Sequence, residues 1–205
     1  MIKFKEYLKE MSIAGYGDWT PSKEIVGDLS LIALEKYWER IAVIQVTSDY
    51  YEVYKLDNIY IAGNVVQSDE TNRFEIDFEI KLTEHKSIAH DFKIKQKLMN
   101  VDGVKVKKST RGRGLAKSIY KLLVKQEEFI ILGDEVQYFG ARKLWSRLSK
   151  DTSVKVDIID VETKQYLEKD VILKHGTKDW EFDDRVWSYE HEKKNIRLLL
   201  KDILS

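Results

Sequence analysis

The chain contains no cysteine, which excludes disulfides, thiolate metal sites and a cysteine nucleophile. The same absence fits a reducing, intracellular setting. Net charge is also missing. Thirty-five basic residues cancel 35 acidic ones, so no global field draws the molecule to nucleic acid or anionic lipid, and any polyanion site must be local. No apolar run approaches the ~18 residues a membrane span requires. The start, Met1 to Met11, alternates charge with bulk and does not read as a signal peptide. What is present is a 205-residue chain with a 43% hydrophobic share, enough for a packed core and too much for wholesale disorder. The composition is that of a soluble globular protein.

The first eleven residues, MIKFKEYLKEM, place Phe4, Leu8 and Met11 at helical spacing, which predicts a short amphipathic helix. Gly15 and Gly17 then mark a hinge, so residues 1–17 are set apart from a single domain over 18–205. A second helix is expected from Thr20 as cap and Pro21 as first helical residue, with Ile25, Leu29, Ala33, Tyr37 and Ile41 on one face. From about Ile44 to Leu98 the pattern alternates: YEVYKL, IYIAGNVV, RFEIDFEIKL and HDFKIKQKL read as strands, with QSDETN as a turn. Phe74, Ile76, Phe78 and Ile80 fall on one face of such a strand, with Glu75, Asp77 and Glu79 on the other. An antiparallel meander follows, packed on one side and wet on the other.

The period then changes again. VDGVKVKK reads as a strand, STRGRG as a glycine turn, LAKSIYKLLVKQ as a helix and FIIL as a strand buried on both faces. GDEVQYFG is a loop, and ARKLWSRLSK is a helix with Ala141, Leu144, Trp145 and Leu148 on one side. Strand–helix–strand–helix implies a right-handed crossover and at least one parallel pair. VKVDIIDV and EKDVILK return to strands, and HEKKNIRLLLKDIL is a closing helix or strand. The fold class is α+β, a mostly antiparallel mixed sheet flanked by helices with one βαβ unit in its middle.

Charge is uneven along the chain. Lys93 to Lys125 holds eleven Lys/Arg against one acid, Asp102, whereas Asp157 to Glu192 holds eleven acids against five bases. A basic stretch centred on a glycine turn at a helix N-terminus suits an anion, because free amides and the helix dipole point at it and missing side chains allow close approach. A solvated lysine-rich face with a glycine turn needed for geometry accounts for the same pattern.

The turn itself, Arg111-Gly112-Arg113-Gly114-Leu115-Ala116, has the form (Arg or Gln)-x-x-Gly-x-(Gly or Ala) between a strand and a helix, with Val106 five residues before Arg111. Here the chain resembles the general N-acetyltransferase (GNAT) superfamily over roughly residues 100–149. A P-loop would need a Gly-Lys-(Ser/Thr) end that Gly112 lacks, and a dinucleotide fingerprint would need glycine where Lys117 stands. The resemblance implies a GNAT-like fold that transfers an acetyl group from acetyl-CoA to an amine on a protein lysine, a nucleobase or a small molecule. It implies that Arg111, Gly112, Arg113, Gly114, Leu115 and Ala116 bind the pyrophosphate through backbone amides. It further implies that the strand through Val104, Val106 and Lys107 pairs with the pantetheine arm and polarises the thioester, and Lys107 and Lys108 are placed to neutralise nucleotide phosphates. Where the family often has a tyrosine that protonates the thiolate, this chain has Trp145, whose indole N–H is no acid at neutral pH. Tyr138 is the candidate substitute. Asp134 and Glu135, just beyond FIIL, are the candidate bases, and ordinary exposed loop chemistry is the alternative.

Other residues carry less. Glu75, Asp77 and Glu79 offer either a wet face or a surface for a cationic substrate. His85, His90, His175 and His191 lack ligand spacing, so no metal is expected, and Trp180 and Trp187 read as packing or as a partner-gripping surface. Nucleic-acid contact through Lys93–Lys125 is a third, weaker reading. The first ten residues, ending Leu8-Lys9-Glu10, resemble capsid-targeting peptides of large myovirus-type tailed phages, which are cut after (Leu or Ile)-x-Glu. That resemblance implies a phage protein in the host cytoplasm or packaged in a virion. The second reading of the whole is a catalytically inactive GNAT-fold protein that binds a host defence factor.

Overall fold

The computed structural model describes residues 28–67, 72–134, 139–174, 176, 182–187 and 195–204. The expected N-terminal helix, its Gly15/Gly17 hinge and the Glu10 cleavage site lie outside these residues, as do Glu135, Tyr138, Trp180, His175 and His191.

In chain order the elements are β1 (Asp28–Ser30), α1 (Leu31–Tyr37), β2 (Glu39–Val46), β3 (Asp49–Leu56), β4 (Ile59–Val66), β5 (Arg73–Glu84), α2 (Lys86–Asp91) and β6 (Leu98–Val106). A 3-10 turn (Lys108–Thr110), α3 (Leu115–Lys125), β7 (Ile130–Leu132), α4 (Phe139–Leu148), β8 (Val154–Asp160), β9 (Gln165–Glu168) and β10 (Ile196–Asp202) follow. One sheet joins the strands in the order β2-β3-β4-β5-β6-β7-β10-β8-β9, with β1 added beside β5. Neighbours are antiparallel except β6 and β7, which run parallel across the α3 crossover. The expected mixed α+β class, with its meander and central βαβ unit, is the observed one. Among the described residues no helix is long and apolar enough to cross a membrane.

Side-chain alternation divides the core by face. Leu198 and Leu200 join the large cluster under α3 and α4, with Leu115, Ile119, Leu123, Trp145 and Leu148. Leu199, between them, points to the other face and packs with Ile88, Phe92, Leu98, Ile130 and Leu132 around α2. A separate cluster on that second face, Leu34, Trp38, Tyr54, Ile61, Phe74 and Ile76, lies under α1.

Four local expectations are corrected. Of the helix read from Thr20 to Ile41, residues 20–27 lie outside the described residues, and within the described ones it spans only Leu31–Tyr37, where Ser30 caps it by accepting from the Ala33 amide at 3.2 Å. Leu29 instead lies in β1 opposite Phe74, and Ile41 lies in β2, so distant strand pairing overrides an apolar spacing that also suits a helix. HDFKIKQKL is not a strand: α2 ends at Asp91, and β6 begins only at Leu98. EKDVILK is irregular after β9, although Val171 and Leu173 are buried, and the closing segment is a strand, β10.

The fourth correction concerns β5. Ala62 of β4 pairs with Phe78 and Gly63 pairs with Ile76, so Asp77 is an inserted residue that shifts the alternation. Phe74 and Ile76 therefore face α1, whereas Phe78 and Ile80 face α3. Glu75 and Glu79 consequently project to opposite faces, and the expected single acidic face does not exist.

Candidate functional site

The βαβ unit shapes the candidate site. Its sequence requires glycine at two positions, since Gly112 has φ +80° and Gly114 has φ +106°, a region that side chains disfavour. Between the turn and the strand, Thr110 is buried and donates its hydroxyl to the Lys107 carbonyl at 2.9 Å. Arg111 lies back on β6, its Nε donating to the Val106 carbonyl at 2.9 Å. Among the described residues, a Cβ on Gly112 would meet nothing within 4 Å, and one on Gly114 would meet only Val46 Cγ1, at 3.7 Å.

No side chain caps α3, and the first helix amide with a carbonyl partner is Ser118, bonded to Gly114 at 3.0 Å. The amides of Gly112, Gly114, Leu115, Ala116 and Lys117 make no hydrogen bond among the described residues. An uncapped helix start with an open glycine turn presents donors and partial positive charge to an anion. Leu115 contributes only this backbone, since its side chain is buried in the core, and Ala116 packs partly against the same core.

Beside the turn the sheet divides. β6 and β7 pair over three residues only, Leu98↔Ile130, Met99↔Ile131 and Asn100↔Leu132. β6 continues for six more residues to Val106, paired on its other side with β5, so its β7-facing edge from Val101 onward has no strand partner among the described residues. Lys81 pairs with Gly103 and Leu82 with Val101, which makes Asp102 a bulge at the point of parting. Val104 and Val106 lie on this edge-bearing stretch, half-buried against the α3 core.

Charge near the turn is more balanced than the sequence segment implies. Lys107 is held by Glu75 and lies 3.8 Å from Asp77, so its charge is already matched and it is not free to reach outward as expected. The hydrogen bond to Glu75 raises Lys107 above its usual value, while burial pushes the Asp77 carboxyl up against the pull of Lys107. Arg113 pairs with Asp49 at 3.1 Å, and Lys117 and Lys121 share Asp151 at 2.7 and 3.0 Å. Lys105 meets Glu79 at 3.5 Å and Lys125 meets Asp202 at 3.7 Å. Six of the eleven basic residues between Lys93 and Lys125 are therefore paired with acids from elsewhere in the chain, while Lys108 and Arg111 stay exposed at the turn.

Asp134 is exposed immediately past the end of β7, on the side where the strands part. Trp145 is 2% exposed and packs edge-to-face on Tyr120 at 6.2 Å, a core position remote from any role as an acid. Burial, and then the charge of Asp134, push the Tyr120 hydroxyl up, so it stays protonated. His85 caps α2, its Nδ1 accepting from the Ile88 amide at 3.5 Å, and His90 lies exposed beside Asp91.

One residue escaped the sequence reading. Arg197 of β10 is 4% exposed and donates from Nε to the Gly133 carbonyl at 2.5 Å and from Nη2 to Asn100 Oδ1 at 2.7 Å. The available signal was a lone arginine inside the apolar run IRLLL, since a buried guanidinium needs fixed acceptors. No protein-family model, curated protein or solved structure matches the chain.

Proposed function

We propose that the chain is an acyl-CoA-dependent N-acetyltransferase of the GNAT type. The observation that carries this reading is the pairing of two features among the described residues: five amides without a partner at a glycine turn, and a strand edge without a neighbour leading away from it. The first suits a diphosphate and the second suits an extended arm that carries its own amides. Acetyl-CoA is the group this fits, and when bound it supplies an activated acyl carbonyl.

In this reading the residues from Gly112 to Lys117 hold the diphosphate, with Lys108 and Arg111 as the nearest exposed cations. The edge from Val101 to Val106 aligns the arm and offers amide donors to the thioester oxygen. Bound there, acetyl-CoA would supply the acyl carbonyl that an acceptor amine attacks, with the C–S bond breaking, a proton leaving the amine and a proton going to the departing thiolate. Asp134 and Glu135 are the residues proposed to take the amine's proton, directly or through water, and Tyr138 the one to supply the thiolate. The acceptor is a protein lysine, a nucleobase or a small amine, and the chain is proposed to be phage-encoded, which an intact mass showing cleavage after Glu10 would support.

Calorimetric titration with acetyl-CoA tests the reading, and Gly114→Glu is its control. A carboxylate there opposes the phosphates and strains the backbone, so affinity falls by at least ~30-fold. A folded variant that binds as tightly as wild type overturns the role of the turn.

The core position of Trp145 favours a second reading, a GNAT-fold protein that binds a host factor without turnover. Incubation with labelled acetyl-CoA and cell lysate separates the two. Label transfer or hydrolysis selects the enzyme, and binding without either selects the inactive protein.

A further inference from the structure

We propose that Arg197 is a positioning residue that sets how far β6 and β7 stand apart, and thereby the slot that takes the pantetheine arm. The inference rests on the acyl-CoA reading above. Asn100 and Leu132 are the last paired couple of the parallel ladder, and Gly133 is the first residue beyond it. Arg197 bonds to Asn100 on one strand and to Gly133 on the other. A planar guanidinium with a fixed fork bridges two acceptors at a set separation, which neither an aliphatic side chain nor a lysine does. The Gly133 amide also donates to the Leu198 carbonyl at 2.8 Å, so the chain leaving β7 is drawn towards β10 and away from β6.

The contact extends to the bulge. Asn100 Nδ2 donates to Asp102 Oδ1 at 3.2 Å, and the Thr83 hydroxyl donates to the other oxygen of Asp102. Arg197, Asn100, Asp102 and Thr83 thus link β10, β6 and β5 across the point of divergence. A purely stabilising role explains this poorly, because burying a guanidinium costs several kcal/mol that an apolar residue in the same strand avoids.

The test compares two probes, coenzyme A and 3′-phosphoadenosine 5′-diphosphate, which carries the phosphates without the arm. Wild type binds coenzyme A more tightly than the fragment. Arg197→Met leaves fragment affinity unchanged and lowers coenzyme A affinity ~10-fold, towards that of the fragment. Asn100→Ala, at a half-buried position, gives the same selective loss and carries the test if Arg197→Met does not fold. Equal loss of both probes, or no loss of coenzyme A in the folded variants, overturns the role of Arg197 while leaving the acyl-CoA reading standing. Wild type that binds neither probe overturns both.

Discussion

The backbone carbonyl of Glu75 occupies the place where a Cβ on Gly63 would stand. The two residues meet where β5 takes in Asp77, and the bulged strand closes so tightly on β4 that only glycine fits. Gly63→Ala therefore forces the strands apart and costs about 1–3 kcal/mol, a Tm drop of about 2–4 °C per kcal/mol in a chain of this size. Urea and thermal melts check this, and unchanged stability would show that the strands can separate freely there.

Asp151 ties the start of β8 to α3. Burial alone would raise its carboxyl, but bonds from Lys117, Ser153 and Lys121 hold it well below the usual carboxylate range. A depressed value in the fold means stability that is complete above the ordinary 3.8 and drains away as pH falls below it. Asp151→Asn accordingly destabilises the protein by about 2 kcal/mol at pH 7, and the gap to wild type narrows at low pH. A pH-independent gap would assign the effect to packing.

Asp49 competes for Arg113 at the mouth of α3. Both side chains are about half exposed, so the pair is weak and screened by salt. Under the acyl-CoA reading, Asp49→Asn strengthens acetyl-CoA binding by about 2–5-fold at low ionic strength, and the gain disappears at high salt. Weaker binding in this variant would show that Arg113 needs Asp49 to hold it in place.

The turn from Arg111 to Ala116 and the crossover around it were legible because their signals are local: two glycines, then an apolar period that only a helix satisfies. β5 was misread because a bulge is a property of the pair. Nothing in RFEIDFEIKL announces that Gly63 will face Ile76 rather than Asp77. Leu29 and Ile41 kept helical spacing while being claimed by strands, and the partner of Leu29, Phe74, lies far along the chain. The same limit hid Arg197, whose acceptors are 64 and 97 residues away. Residue type located the glycine turn, but the opposing acids on Lys107 and Arg113 emerged only from tertiary contacts.

β10 is the last of the ten strands among the described residues, yet it sits inside the sheet, between β7 and β8. It zips to β8 over seven residues and to β7 over two. A nascent chain on the ribosome can therefore assemble the meander and the crossover early, but holds β7 and β8 as open edges until residues 196–202 emerge. The strand that closes the sheet also delivers Arg197 to the parting of β6 and β7, so its bonds to Asn100 and Gly133 form only when synthesis of this stretch is complete.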